Sequence, residues 1–383
     1  MKPNVKVLIY VQHLLGVGHV FRAMRIVAAL TDFGFDVELI YGGQEIEHFS
    51  SYGAKVHFLP PLNTLRGDFS RLVTENGTEA DERFKDIRRA RVLEILGKSS
   101  PDILITEAFP FGRRQMHFEL LPLMEAAHSL PKRPQVFASI RDILQDGNKA
   151  SKDRQTVELI ERYFDGVLVH GDKNFTALGA TFPFADEIEQ KLHYTGIVAP
   201  KRTNQPVDSR DRYDVVVSAG GGLLGRELLF AAAAAKAHTS LKDARWCLLT
   251  GPYMEEGDRK TLMSSDIEVR RFIPELHSLL ASAKLSVSLS GYNTIADIMV
   301  AGCRAIVAPQ WNEKETEQRR RAELLAARGL VVALSHVEKT PAALADAIER
   351  VMAAPPPDWS QIDQQGAPET ARILAQSLSA TRT

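Results

Sequence analysis

Among the residues whose type and spacing could do chemistry, His19 comes first, because it stands directly behind a glycine turn, Gly16-Val17-Gly18-His19. The two glycines permit a tight strand-to-helix turn with exposed backbone amides. A helix beginning near Val20 aims its positive end at the same spot, which suits an anion or other ligand. An imidazole at that mouth can act as a general base, or it can be an ordinary structural hydrogen-bonder. Arg22 belongs to the same motif. Two carboxylates end strand-like runs farther on, Glu107 after DILIT and Asp142 after QVFASIR. Either could orient His19, as the third member of an acid–base relay orients its imidazole, and at least one of them could be a plain helix cap. The loop after Glu107 mixes Phe109, Phe111, Arg113, Arg114 and Phe118, an apolar and basic mixture that could meet a ligand or simply pack.

A second group lies in the later half. Ser218, Gly220, Gly221 and Gly222 follow the apolar run DVVV, and successive small residues there form an anion-cradling nest. Their spacing is not that of a dinucleotide-binding loop, and three glycines in a row are a costly choice for a merely structural turn. Thr250-Gly251 and Phe272-Ile273 end two further strand-like runs. The stretch from Leu285 to Leu325 reads strand, turn, helix, strand, loop, helix. Ser290-Gly291 let a ligand approach the backbone, Asn293 or Thr294 can cap the helix, and Asp297 one turn in would accept from a pair of ribose hydroxyls. Glu317-Gln318, at the head of the next helix, suit sugar hydroxyls. The plain alternative is one more βαβ unit with a solvated helix that includes the Arg319-Arg320-Arg321 run.

The elements that position these residues alternate throughout. VKVLIYV, FDVELIY, KVHFL, DILIT, QVFASI, GVLVH and YTGIV read as strands, with helical stretches at 20–33, 80–98, 113–129 and 152–164. After the proline-bearing polar segment 200–211, the alternation restarts with DVVVSAGG, RWCLLTG, EVRRF, LSVSLSG, RAIVAP and LVVAL. Such a pattern predicts α/β architecture with parallel sheets covered on both faces. A length of 383 residues allows two or three domains, and 47 basic against 48 acidic residues give no electrostatic footprint for nucleic acid. Cys247 and Cys303 sit in apolar contexts that favour buried thiols and a reducing, cytoplasmic location. No run reaches membrane-spanning length, so any contact with the inner face of a membrane would be peripheral.

The pattern Ser290-Gly291-x-x-Thr294-x-x-Asp297-x-x-x-x-Gly302, then a strand ending at Pro309 and a glutamine-bearing loop, resembles the nucleotide-sugar site of GT-B glycosyltransferases. The similarity is to the MurG-like group, of glycosyltransferase family 28 type, which moves N-acetylglucosamine from UDP to a lipid-linked acceptor. The resemblance implies a GT-B fold, two Rossmann-like doubly wound domains facing a cleft. Residues 1–199 would form an acceptor-side domain, 200–211 a linker, 212–355 the nucleotide-sugar domain, and 356–383 a tail helix returning to the first domain. It implies His19 as general base and Asp297 at the ribose-binding acidic position, shortened from Glu. The 218–222 loop would face the donor diphosphate, Phe272-Ile273 would read the uracil edge through their backbone, and Glu317 and Gln318 would hold the donor sugar. Gly16, Gly18, Arg22, Thr250, Gly251, Ser290, Gly291, Asn293 and Thr294 complete the expected donor side. The first turn keeps fewer glycines than the group's, and it also resembles the opening of related UDP-sugar hydrolases. With no Asp-x-Asp present, no metal or other cofactor is expected; a UDP-sugar is the co-substrate and a glycan or lipid-linked molecule the acceptor. Alternatives are a UDP-sugar hydrolase and a non-catalytic nucleotide-sugar-binding partner of another transferase.

Overall fold

The computed structural model describes residues 5–14, 18–44, 46, 49–65, 68–145, 150–202, 212–220, 225–251, 254–263, 266–273, 275–310 and 316–380. The chain divides into two compact units. One comprises Met1–Asp142, Asn148–Val198 and Gln365–Thr383, and the other Ile143–Gly147 and Ala199–Gln364.

In chain order the first unit contains β1 (Lys6–Val11), α1 (Gly18–Phe33), β2 (Asp36–Tyr41), β3 (Lys55–Phe58), β4 (Leu62–Leu65), β5 (Asp68–Thr74), α2 (Glu82–Ser99) and β6 (Ile103–Glu107). It continues through α3 (His117–Ser129), β7 (Gln135–Arg141), α4 (Ala150–Tyr163), β8 (Gly166–His170) and β9 (Leu192–Tyr194). Seven strands form one parallel sheet in the order β3-β2-β1-β6-β7-β8-β9. A sheet covered on both faces needs strands that are apolar throughout, and Val7, Leu8, Tyr10, Ile103, Leu104, Val136 and Ala138 are all wholly buried. The strand order reverses between β1 and β6, and open α/β sheets bind ligands outside the strand carboxyl ends at such a switch. His19 follows β1 and Glu107 ends β6, so the two flank that point.

The second unit repeats the plan on a smaller scale: β10 (Val215–Ser218), α5 (Arg226–Ala235), β11 (Trp246–Leu249), α6 (Glu256–Met263), β12 (Glu268–Arg270), α7 (Leu276–Leu280) and β13 (Leu285–Ser288). Then come α8 (Tyr292–Ala301), β14 (Arg304–Val307), α9 (Glu317–Ala327), β15 (Val332–Ala333) and α10 (Pro341–Ala353). Its six parallel strands run β12-β11-β10-β13-β14-β15. Val215, Val217, Leu248, Val287 and Ile306 form one core with Leu228 and Leu229 of α5 and Leu344 and Ile348 of α10. Here the order reverses between β10 and β13, the strands that lead to Gly220 and to Ser290.

The last helix, α11 (Gly366–Ala380), belongs to the first unit and packs on α1, with Ala371 and Leu374 wholly buried. Its entry is a close backbone contact: a Cβ on Gly366 would lie 2.4 Å from the Gly196 carbonyl oxygen and 2.6 Å from the Val198 nitrogen. Gln135 Nε2 donates to the Ser377 carbonyl at 3.1 Å, tying the helix to β7.

Three expectations differ from what is observed. Residues 356–364 lie with the second unit, not with the tail helix. The run YTGIV contributes only Tyr194 to a strand, because β9 is Leu192–Tyr194 and Val198 makes an isolated bridge to Gln365. The antiparallel hairpin of β4 and β5 left no pattern in the sequence.

Candidate active site

The first cluster is built on α1. The helix starts at Gly18, so His19 and Arg22 lie one turn apart on one face, and both reach Glu107 at the end of β6. His19 Nδ1 is 3.0 Å from Glu107 Oε1, and Arg22 donates to the same oxygen. Ser139 Oγ, on β7 beside Glu107 in register, donates to Oε2 at 2.6 Å. Glu107 is 1% exposed. Burial by itself would raise its pKa, but Arg22, the His19 bond and the Ser139 bond outweigh it and hold the carboxyl well below the usual range. Glu107 is therefore ionised.

An ionised acceptor at Nδ1 fixes the hydrogen of neutral His19 on that nitrogen and leaves Nε2 with its lone pair. Burial, then the positive charge of Arg113, lower the imidazole pKa to about 3, against the raising effect of the Glu107 hydrogen bond. An ordinary imidazole titrates near 6.5, and the difference is the work of that burial and of two guanidinia, Arg113 and Arg22. Arg113 sits in the loop after β6 with φ 61° and gives its Nε to the Gln12 carbonyl at 3.3 Å. Arg22, expected on the donor, is buried and paired with Glu107 instead.

Of the two candidate carboxylates, the structure brings Glu107 to His19. Asp142 is 1% exposed and lies against Gly171 after β8, where a Cβ on the glycine would come within 2.5 Å of the Asp142 Cβ. Phe109 and Phe111 are packing residues, with Phe109 edge-on to His117 and Phe111 edge-on to Phe182.

Sequence reasoning missed the buried ion pair beneath this cluster. Arg88 of α2 binds Glu119 of α3 through two hydrogen bonds of 2.9 and 2.7 Å, both side chains having no exposed surface. Tyr10 donates to the same carboxylate, and Arg88 also donates to Gln12 Oε1 at 2.7 Å. Gln12 in turn donates to the carbonyls of Gly42 and Leu62 at 2.5 and 3.1 Å. A fully satisfied network of this kind pins the carboxyl end of β1 to its surroundings.

On the second unit, Ser218 and Ser288 are register partners near the carboxyl ends of β10 and β13, and Ser288 Oγ is buried without a hydrogen-bond partner. Gly225, the N-cap of α5, lies against Ala219, the residue after β10. A Cβ there would lie 2.4 Å from that of Ala219, so only glycine fits. Gly16, Gly221 and Gly222 lie outside the described residues, whereas Gly18 and Gly220 lie within them.

The cap of α8 differs from expectation. Gly291 is the N-cap, in extended geometry and with no side-chain cap bond, while Asn293 and Thr294 fall inside the first turn. A bare first turn presents its amides to an incoming anion. Asp297 is 8% exposed on the same helix. Ser290 Oγ donates to the Gln318 carbonyl at 2.8 Å and Arg321 donates to the Ser290 carbonyl at 3.2 Å, joining the end of β13 to α9. Gln318 Oε1 accepts from the Gln310 amide at 3.2 Å. Glu317, expected to hold the sugar, is buried and ion-paired with Arg321 at 2.9 Å, which leaves Gln318 as the better placed of the two. Thr250 and Gly251 accompany the segment after β12, their amides donating to the Arg270 and Arg271 carbonyls at 2.9 Å each. Phe272 is 37% exposed there, and Ile273 is half-buried. Among the described residues, no three His, Cys, Asp or Glu side chains group so as to hold a metal ion, and no helix is long and apolar enough to cross a membrane.

Two parallel-sheet units, each with polar residues gathered at its switch point, are the GT-B architecture, and solved structures share it along nearly the whole chain. The calicheamicin glycosyltransferase CalG4 has a TM-score of 0.63 at 17% identity, covering 99% of this chain and 98% of its own. MurG of Acinetobacter baumannii gives 0.57 at 15% over 97% and 99%, and the UDP-GlcNAc 2-epimerase of Methanocaldococcus jannaschii 0.59 at 12% over 97% and 99%. Within that fold, residues 215–375 match the glycosyltransferase family 28 C-terminal domain. None of the curated proteins compared with the chain matches it.

Proposed function

We propose that the chain is an inverting, metal-independent glycosyltransferase that moves a sugar, N-acetylglucosamine by its likeness to the MurG group, from UDP to a hydroxyl of a glycan, lipid-linked or small-molecule acceptor. It acts in the cytoplasm, at the inner face of the membrane where the acceptor is lipid-linked. The observation that carries this reading is the 3.0 Å contact between His19 Nδ1 and the buried Glu107 Oε1, in surroundings that keep the imidazole neutral and the carboxyl ionised. Nε2 takes the proton of the acceptor hydroxyl as its oxygen forms a bond to the anomeric carbon. The bond from that carbon to the diphosphate oxygen breaks on the opposite face, and UDP leaves with the electron pair. Glu107 stays ionised and stabilises the imidazolium.

A base whose pKa is about 3 holds a proton weakly, so an anionic ligand near Arg22 and Arg113 would have to offset their charge as catalysis proceeds. On the donor side, Asp297 takes the ribose hydroxyls, Gln318 the sugar, Phe272-Ile273 the base, and the amides of the Gly220 loop and of α8 the leaving diphosphate.

The test is His19→Ala, assayed for UDP release and for UDP binding. Turnover should fall roughly 10²-fold or more with UDP affinity little changed. A parallel loss of donor binding would make His19 a diphosphate ligand, and normal turnover would make it structural. Consumption of UDP-sugar at full rate without any acceptor would identify a hydrolase.

A further inference from the structure

The hydrogen bonds to Glu107 do not end at Ser139. Ser139 Oγ is 3.0 Å from His170 Nε2 at the end of β8, and His170 Nδ1 is 2.9 Å from Thr195 Oγ1. All three side chains are buried: His170 and Thr195 have no exposed surface and Ser139 has 2%. The reaction just described uses neither His170 nor Thr195.

Counting hydrogens gives this chain a direction. Ser139 has a single hydroxyl hydrogen, and the ionised carboxylate at 2.6 Å claims it. The lone pairs of Ser139 Oγ then face His170 Nε2, so this nitrogen must carry the imidazole hydrogen. Nδ1 is left bare and accepts from the Thr195 hydroxyl, which turns to it in preference to the Gly196 carbonyl 3.0 Å away. In this arrangement each hydrogen is used once and the sequence of donors ends on a negative charge. The reverse arrangement sets two lone pairs against each other in a buried space, which is costly. Burial, and next the charge of Arg22, lower the His170 pKa to about 3, so the ring is neutral, as the count requires.

We infer that Thr195, His170 and Ser139 form a buried row of donors that holds Glu107 in the rotamer bonded to His19, making them positioning residues for the general base. No proton travels along the row; it fixes where Oε2 lies, and with it Oε1 and the tilt of the His19 ring. The inference rests on His19 being the base, but its structural part stands apart from activity.

The experiment combines steady-state kinetics with ¹⁵N spectra of the histidine rings in the full chain, for Ser139→Ala, Ser139→Thr and His170→Gln. Ser139→Ala should lower kcat about tenfold or more at unchanged KM for the donor, since small misplacements of a catalytic group are costly in rate. It should also turn His19 from the single Nδ1–H form to a mixture of tautomers, and Ser139→Thr, which keeps the hydroxyl, should restore both. In the unsubstituted protein His170 should show the Nε2–H form. An Nδ1–H form there, or kcat and His19 signals within twofold of normal in Ser139→Ala and His170→Gln, would overturn the inference. Thr195→Val, nearly isosteric and at the outer end of the row, serves if Ser139→Ala does not fold; it should shift the His170 Nδ1 signal and lower kcat, and no change in either refutes. Full turnover in His19→Ala would remove the functional reading alone, with the tautomer spectra still deciding whether the row orients Glu107.

Discussion

Glu107→Gln separates the charge at the centre of the first cluster from its shape. The amide fills the same volume, and its oxygen can still accept from Arg22 and His19. What disappears is the negative charge beside a guanidinium whose side chain is 3% exposed. Removing one partner of a buried pair costs about 3–5 kcal/mol, because the remaining charge is uncompensated. At roughly 2–4 °C per kcal/mol for a unit of this size, the first unit should melt some ~6–20 °C lower. The rate should suffer more than the fold. Where a carboxylate fixes a histidine tautomer, its amide replacement costs on the order of 10⁴ in kcat; a loss of about 10²–10⁴ is expected here. UDP affinity should hold, because the residues assigned to the nucleotide lie on the second unit. UDP release, calorimetric titration with UDP and differential scanning calorimetry give the three readouts. A folded variant turning over within about tenfold of normal, with its melting point unmoved, would show that Glu107 neither orients His19 nor pairs with Arg22 as argued.

Asp297→Ala should weaken UDP itself, whereas Gln318→Ala should weaken only the UDP-sugar, by about 1.5–3 kcal/mol for a lost hydrogen bond to a charged group and less for a neutral one; equal losses of UDP affinity in titration would sink the assignment. Donor binding and turnover should survive excess EDTA, and their abolition with rescue by Mn²⁺ would refute a metal-independent mechanism. His19 and His170, both lowered from 6.5 to about 3, bind fewer protons folded than unfolded between those values, so stability should rise with pH across that window and fall on acidification. Each contributes a slope of about 1.4 kcal/mol per pH unit there, and Glu107, depressed as a carboxylate, adds loss in the same direction at lower pH. Denaturant midpoints that stay flat from pH 6.5 to 4.5 would contradict both histidine shifts.

The sequence showed where the strands end but not which ends meet. Glu107 and Asp142 both follow apolar strand runs, and choosing between them requires the strand order, which places β6 and not β7 beside β1. Pairings across a sheet join strands far apart in the chain, Val7 with Ile103 here, and local pattern does not carry them. Arg88 lies in the charged run RFKDIRRAR, whose local pattern does not single it out for burial; its partner Glu119 is 31 residues away. Ser139 and His170 did leave a trace. Each is a polar residue set into the carboxyl end of an apolar strand run, QVFASIR and GVLVH, where a buried polar side chain requires a partner. Arg22 and Glu317 went to other partners than expected because each has a buried opposite charge one turn away or on the neighbouring strand, and a motif pattern does not register such neighbours.

The position of α11 bears on how the chain is made. A ribosome delivers the strands of the first unit well before the helix that covers α1, because the residues from Ala199 to Gln364 intervene. At synthesis rates of 5–20 residues per second, the interval is roughly ten to thirty seconds. Throughout it, the surface of α1 that will receive Ala371 and Leu374 is open to water, to other nascent chains and to chaperones. The second unit has no such gap in its main segment and can close first. The emerging protein is therefore expected to hold a finished second unit before it has a finished first unit, and the chain truncated just before Gly366 should display that order as protease resistance confined to the later half.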